Sequence, residues 1–133
     1  MRPIFHLSIP VLDLDESITF YQDQLGARIG RHEASWADAL LFGAQITLQA
    51  DPASVTSPMP RTRHFGATID RDRFEELAAH FSGHPRVIEG PTTSYADQDR
   101  EQVKMMLVDP SGNRIELKAY ANPTVVLGDL VVD

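Results

Sequence analysis

Two histidines and one glutamate occupy alternating positions in three separate amphipathic segments. His6 lies in FHLSIPV, His64 in RHFGATI and Glu116 in RIELKAY, and their neighbours in sequence are mostly apolar. Because side chains alternate between the two faces of a strand, the apolar neighbours point to one face and these three residues to the other. Two imidazoles and one carboxylate that meet on one sheet face would form a divalent-metal site with open coordination positions.

The first of these segments belongs to a βαβββ pattern in the first half of the chain. Asp13 begins a helix as its N-cap, with Glu16 three residues further on, and Gly26 ends that helix. Alternating apolar residues and turn signals predict the strands around it. The predicted strands of the first half are 5–11, 28–33, 36–42 and 45–50.

The second half of the chain repeats this order. Asp70 caps a second helix, whose apolar stripe ends before Gly83. The predicted strands of the second half are 64–69, 86–89, 103–108 and 114–120. About eleven additional residues in this half are most easily placed in the segment GPTTSYADQDRE.

An alignment of the two halves compares the candidate ligands directly. GAQITLQA at the end of the first half matches GNRIELKA at the end of the second. Under this alignment His6 is equivalent to His64, and Glu116 is equivalent to Thr47. Three of four symmetry-related positions therefore carry metal-ligand types, and the fourth carries a threonine.

Length and composition predict one globular domain over residues 1–133. The absence of cysteine excludes disulfides and favours a reducing cytoplasm. A net charge of −7 without a basic stripe argues against nucleic acid, and the absence of a long apolar run or signal peptide argues against a membrane. The predicted parts are a first module at about 4–50, a linker at 51–62, a second module at about 63–120 and a tail at 121–133. The apolar tail either adds an edge strand or packs on a partner chain.

Over residues 4–120, the chain resembles the vicinal oxygen chelate superfamily, which includes glyoxalases, bleomycin-resistance proteins, fosfomycin-resistance thiol transferases and extradiol dioxygenases. The resemblance rests on HLSIPVLDLDESITFYQDQLG, RHFGATI and DPSGNRIELKAY in this order. It implies an α+β fold in which two βαβββ modules form a cupped mixed sheet around a metal site, with helices on the convex face. It also implies that His6, His64 and Glu116 are the ligands. Glyoxalase I-like members add a fourth ligand on the fourth strand, where this chain has Thr47.

The resemblance predicts a metal-dependent enzyme that binds a small substrate through two neighbouring oxygens. An extradiol-type dioxygenase is favoured, because three ligands leave about three open positions on an octahedral ion. The alternatives are a glyoxalase-like lyase or isomerase, and a non-catalytic drug-binding resistance protein. Fe(II) or Mn(II) is favoured over Zn(II) or Ni(II). A homodimer is expected, and the metal site lies either within one chain or between two subunits.

Several further polar residues share the predicted site face. Tyr120 is a candidate acid or hydrogen-bond donor, or alternatively an aromatic at the rim of the cup. The candidate substrate-pocket residues are Ser8, Thr47, Thr68, Lys104, Arg114 and Lys118. Fosfomycin-resistance members carry a lysine and a phosphonate site at positions that fall here at Ala96, Lys104 and Met106. Because Ala96 and Met106 give little support to a dianionic phosphonate, the sequence predicts a different substrate.

Overall fold

The computed structural model describes residues 1–57 and 59–131. The chain divides into two compact units, which are called unit 1 (Met1–Arg61 with Asp109–Asn113) and unit 2 (Thr62–Val108 with Arg114–Asp133). The predicted linker and tail include residues 58, 132 and 133, which lie outside the described residues. None of the helices in the described ranges has the length and apolarity needed to cross a membrane.

Unit 1 contains a four-stranded mixed sheet with the strand order β1-β4-β3-β2, in which β1 and β4 are parallel and the other pairs are antiparallel. Its strands are β1 (His6–Val11), β2 (Arg28–His32), β3 (Trp36–Leu41) and β4 (Ala44–Ala50). Helix α1 (Leu14–Thr19) begins where predicted, because Asp13 Oδ1 accepts a hydrogen bond of 2.8 Å from the Glu16 amide. It continues into a π-helical turn at Phe20–Gln24.

Unit 2 repeats this architecture with the strand order β5-β8-β7-β6. Its strands are β5 (His64–Thr68), β6 (Val87–Ser94), β7 (Gln102–Val108) and β8 (Arg114–Tyr120). Helix α2 (Arg71–His80) follows β5, as α1 follows β1, and buries Phe74 and Leu77. The predicted α+β class and the two βαβββ modules are therefore confirmed.

The strand registers of the two sheets are also equivalent. In unit 1, Ser8 of β1 lies opposite Thr47 of β4. In unit 2, Gly66 of β5 lies opposite Glu116 of β8. The sequence alignment of the two halves therefore agrees with the three-dimensional pairing, and Thr47 and Glu116 occupy the same place in their sheets.

Three local predictions differ from the structure. Strand β6 extends to Ser94 rather than ending at residue 89, because Thr92, Thr93 and Ser94 continue the pairing with β7. Asp70 stands at the N-cap of α2, but its side chain makes no capping hydrogen bond. The tail forms no edge strand in its described part. It forms helix α3 (Pro123–Leu127), which has proline in its first turn, and a 3₁₀ turn at Gly128–Leu130.

The turn that joins β7 to β8 along the chain belongs to unit 1. Asp109 Oδ1 accepts hydrogen bonds of 2.9 Å from the amides of Ser111 and Asn113, and Asp109 Oδ2 accepts one of 2.8 Å from the Tyr21 hydroxyl. Asn113 Nδ2 donates to the Pro10 carbonyl at 3.0 Å. Burial, and then the charge and hydrogen bond of Asp109, raise the pKa of Tyr21 well above its usual value.

Candidate functional site

His64 and Glu116 lie in contact on two adjacent parallel strands of unit 2. His64 Nε2 is 2.7 Å from Glu116 Oε2, and the two side chains are 34% and 16% exposed. The apolar residues that alternate with Glu116 on β8 are buried, so the sequence pattern places this carboxylate on the opposite face. The pair therefore offers one imidazole and one carboxylate at a position that solvent still reaches.

Gly66 lets strand β5 approach the strand that carries Glu116. A Cβ atom at residue 66 would collide with the backbone carbonyl of Glu116. Any other residue would therefore push β5 and β8 apart at the level of the carboxylate. The glycine is consequently part of what fixes the geometry of the His64–Glu116 pair.

His6 lies at the start of β1 in unit 1, on an exposed part of the strand. Its Nδ1 is 3.2 Å from the backbone carbonyl oxygen of Gln45. Because a carbonyl oxygen only accepts, Nδ1 is the donor in this contact, and Nε2 is the nitrogen that remains for a ligand. A backbone acceptor on one ring nitrogen is the usual support for a histidine that ligates through the other.

Within the residues that the structure describes, no group of three or more His, Asp or Glu side chains is arranged to hold a metal ion. The structure thus brings together His64 and Glu116 as a pair and gives His6 a supporting acceptor in unit 1.

Thr47, the equivalent of Glu116 in unit 1, is engaged in a buried polar network. Its hydroxyl donates to Asp38 Oδ1 at 2.8 Å, while Arg31 Nε donates to Asp38 Oδ2 at 2.7 Å and Gln45 Nε2 donates to the same oxygen at 3.3 Å. Burial alone would raise the pKa of Asp38, but the hydrogen bonds from Arg31 and Thr47 and the charge of Arg31 outweigh it, so the pKa is lowered. Asp38 is therefore an ionised, fully partnered carboxylate.

A pocket of about 220 Å³ opens beside this network in unit 1. Three of the sequence-predicted site residues, His6, Ser8 and Thr47, line it. The other lining residues are Arg31, Trp36 and Gln49. A candidate metal ligand and two candidate substrate residues thus share one cavity wall.

The remaining candidates form a polar row in unit 2. Lys118 on β8 lies opposite Thr68 on one side and Lys104 on the other. The Lys118 ammonium is 5.6 Å from the ring centre of Tyr120. Arg114 lies opposite His64 in the β5–β8 register. The row therefore places one lysine and a phenol on the strand that carries Glu116, and a second lysine beside them on β7.

Sequence reasoning missed the Arg31–Asp38 pair. The available signal was Asp38 itself, a single charged residue within the apolar strand WADALL. A buried carboxylate requires a partner, because its desolvation is costly otherwise. Its partner Arg31 lies in an irregular stretch of the β2–β3 register, between Ile29 and His32, where simple alternation gives no face.

The chain matches one family model over most of its length. The Glyoxalase/Bleomycin resistance protein/Dioxygenase superfamily model matches residues 4–117. These bounds include all three candidate ligands and both βαβββ modules except the last three residues of β8.

Two curated relatives and one solved structure show the same similarity. The chain is 27% identical to the metallothiol transferase FosB of Staphylococcus saprophyticus over 88% of this chain and 76% of that protein. It is 24% identical to the glutathione transferase FosA of Serratia marcescens over 88% of this chain and 80% of that protein. The crystal structure of a glyoxalase/bleomycin resistance protein/dioxygenase from Alicyclobacillus acidocaldarius matches with a TM-score of 0.79 and 28% identity, covering 93% and 96% of the two chains.

Proposed function

The chain belongs to the Glyoxalase/Bleomycin resistance protein/Dioxygenase superfamily, and from that premise we propose that it is a metal-dependent enzyme which binds a small substrate through two neighbouring oxygens. The proposed ligands are His6, His64 and Glu116. The observation that carries the proposal is the 2.7 Å contact between His64 Nε2 and Glu116 Oε2. Superfamily membership does not name the reaction, so the reaction is part of the proposal.

The chemical types of these three donors suit a divalent cation. His64 and Glu116 present a nitrogen and an oxygen that a cation can bridge, and the Nδ1 contact of His6 leaves its Nε2 for a ligand. Two imidazoles with one carboxylate suit Fe(II) and Mn(II), and they accommodate Zn(II) or Ni(II).

A divalent ion at these residues would supply Lewis-acid polarisation of the substrate oxygens. Lys118, on the strand that carries Glu116, and Lys104, beside it on β7, provide positive charge. They are suited to an enolate-like or catecholate-like oxygen, and Tyr120 is suited to donate a hydrogen bond to it. Thr68, opposite Lys118, extends the same polar row.

Within this chemistry, extradiol-type oxygenation is the first candidate reaction. It requires open coordination positions for both substrate and dioxygen. The equivalent of Glu116 in unit 1 is Thr47, whose hydroxyl already donates to Asp38. A fourth protein ligand at this position, as in glyoxalase I-like members, is therefore not expected. The lyase or isomerase reaction is accordingly less favoured than oxygenation.

Transfer of a thiol is the second candidate reaction. It is favoured by the two curated relatives, one named a metallothiol transferase and the other a glutathione transferase. A phosphonate substrate remains disfavoured, because Met106, which lies opposite Glu116, is buried and apolar. A thiol transferase with a different electrophile is consistent with both observations.

The reaction is tested with protein purified without chelator and analysed for bound metal. Anaerobic Fe(II) loading followed by oxygen uptake with a panel of catechols tests oxygenation. Loss of free glutathione with electrophiles that carry two neighbouring oxygens tests thiol transfer, and turnover of a hemithioacetal tests the lyase. Metal-free protein whose ligand binding is unchanged by Glu116→Ala would instead support a non-catalytic binding protein.

We also propose a homodimer, in which His6 completes the metal site of either its own chain or a second copy. Light scattering gives the oligomeric state. Mixing and refolding His6→Ala with Glu116→Ala distinguishes the two arrangements. A site shared between subunits regains about a quarter of the wild-type metal content through heterodimers, whereas a site within one chain regains none.

A further inference from the structure

The pocket in unit 1 is lined by groups that donate hydrogen bonds. The Ser8 hydroxyl oxygen accepts from Gln49 Nε2 at 2.6 Å, so its own hydrogen remains for a ligand. The hydroxyl hydrogen of Thr47 is already donated to Asp38. Arg31 offers only donors, since a guanidinium accepts no hydrogen bond. A ligand in this pocket therefore meets the donors of Arg31 and Ser8.

Arg31 is held in place from two directions. Its Nε donates to Asp38 Oδ2 at 2.7 Å, and its Cζ lies 4.7 Å from the centre of the Trp36 ring. Both contacts fix the plane of the guanidinium. The Arg31 side chain is nevertheless 64% exposed, and within the described residues its two Nη atoms make no hydrogen bond. The edge formed by these two atoms is pre-oriented for a planar oxyanion.

We propose that this pocket is a binding subsite for a carboxylate group of the substrate, held by the two Nη atoms of Arg31 and the hydroxyl of Ser8. Two parallel N–H donors match the two oxygens of a carboxylate. The charge of Asp38 offsets that of Arg31, so the subsite suits a monoanion better than a dianionic phosphonate.

His6 lines the same pocket. This step rests on the proposed function. If the metal site and the carboxylate subsite act together, the substrate is a small compound that carries a carboxylate beside its two neighbouring oxygens. The carboxylate subsite itself requires no metal, and it is therefore tested without one.

The chain contains a single tryptophan, Trp36, so intrinsic tryptophan fluorescence reports on this pocket alone. The probes are sodium benzoate, the neutral analogue benzyl alcohol, and phenylphosphonate, titrated into the full-length protein in EDTA. Benzoate is expected to give a saturable change in the millimolar range, with binding at least about fivefold tighter than that of benzyl alcohol. Equal binding of benzoate and benzyl alcohol would overturn the proposal, and tighter binding of phenylphosphonate would overturn the carboxylate class.

Arg31→Gln removes the proposed donors and is expected to weaken benzoate binding at least about tenfold. Arg28→Gln is the matched control, because Arg28 lies on the same strand, is exposed and does not line the pocket. It removes the same charge and is expected to change benzoate binding less than about twofold. If Arg28→Gln weakens binding as much as Arg31→Gln, the effect is general electrostatics and the subsite is refuted.

The Glu116→Ala variant separates this inference from the proposed function. Benzoate binding that persists in this variant, in EDTA, supports a subsite that is independent of the metal ligands. Loss of benzoate binding in this variant would show that binding depends on Glu116, and it would refute a subsite formed by Arg31 and Ser8. If the wild type binds metal but does not bind benzoate, the proposed subsite is refuted and the proposed metal-dependent function is not.

Discussion

Unit 1 and unit 2 have the same strand order and register, yet they use equivalent positions in different ways. In unit 2, Glu116 contacts His64 and lies opposite the buried Met106. In unit 1, the equivalent Thr47 lies opposite Asp38, which accepts its hydrogen bond. The carboxylate of unit 1 is fully used by its own protein neighbours, whereas that of unit 2 has an imidazole as its partner and remains partly exposed. Burial and partners, rather than residue type, distinguish a structural carboxylate from a candidate ligand.

The largest expected effect comes from removing the unit 2 carboxylate. Glu116→Ala is expected to lower affinity for Fe(II) or Mn(II) by more than about 100-fold, because loss of a ligand exceeds the 10–100-fold typical of a supporting residue. Isothermal titration calorimetry under anaerobic conditions measures this affinity. Thr47→Val, at the equivalent position of unit 1, is the matched control and should change the affinity less than about threefold. Similar losses of metal affinity in both variants would contradict the proposed difference between the two units.

The next largest effect is expected at Gly66, where β5 approaches the backbone of β8 in unit 2. Gly66→Ala is expected to destabilise the protein by roughly 1–3 kcal/mol, because the added methyl group meets the Glu116 carbonyl. Unit 1 has a side chain, Ser8, at the equivalent position. Ser8→Ala should therefore cost less than about 1 kcal/mol, through loss of its hydrogen bond with Gln49. Urea unfolding measures both values, and a tolerated Gly66→Ala would argue against this close approach.

The buried network of unit 1 predicts an effect that depends on pH. Asp38→Asn is expected to cost about 1–3 kcal/mol at pH 7. Because the folded-state pKa of Asp38 is lowered, its stabilisation is present above the unfolded pKa of about 3.9 and is lost as pH falls through the lower folded value. Chemical unfolding at several pH values should show the wild-type advantage shrinking below about pH 4. Asp23→Asn, at an exposed position, should change stability by less than about 0.5 kcal/mol at each pH.

The smallest effect tests how unit 1 holds the 109–113 turn. Tyr21→Phe removes the hydrogen bond to Asp109 and is expected to cost about 1 kcal/mol. Because the pKa of Tyr21 is raised, the wild-type advantage is present below the unfolded pKa of about 10 and is lost as pH rises above it. Unfolding at pH 7 and in buffer above about pH 10 checks this. Tyr95→Phe, at an exposed tyrosine, is the control and should be nearly neutral.

Features that depend on neighbouring residues were predictable from the sequence. Strand β8 alternates buried and partly exposed residues, as RIELKAY predicted. The Asp13 cap depends on residues three positions apart, and it was predicted correctly. The repeat was predictable because both units retain similar residues in their last strands. These signals determined the fold and the faces of His6, His64 and Glu116.

Features that depend on distant or irregular pairing were not predictable. The side chain of Arg31 meets Asp38 across a register irregularity, where the twofold alternation of a strand fails. Asp70 resembles Asp13 in its sequence position before a helix, but its side chain makes no capping hydrogen bond. The pocket beside His6 is lined both by members of the Asp38 network and by Trp36. No local sequence pattern connects these residues.

The 109–113 turn also affects how the chain can fold and be divided. Its bonds to Tyr21 and Pro10 join residues that are 88 and 103 positions apart. Because such long loops must close before these contacts form, β8 is expected to settle into register late in folding, after the first half of the chain is in place. A fragment that starts at Thr62 would carry this turn without the groups that hold it. The two repeats are therefore not interchangeable. Cutting the chain between them, or joining two copies of the second, would leave the turn that precedes the strand of Glu116 without Tyr21 and Pro10, which hold it.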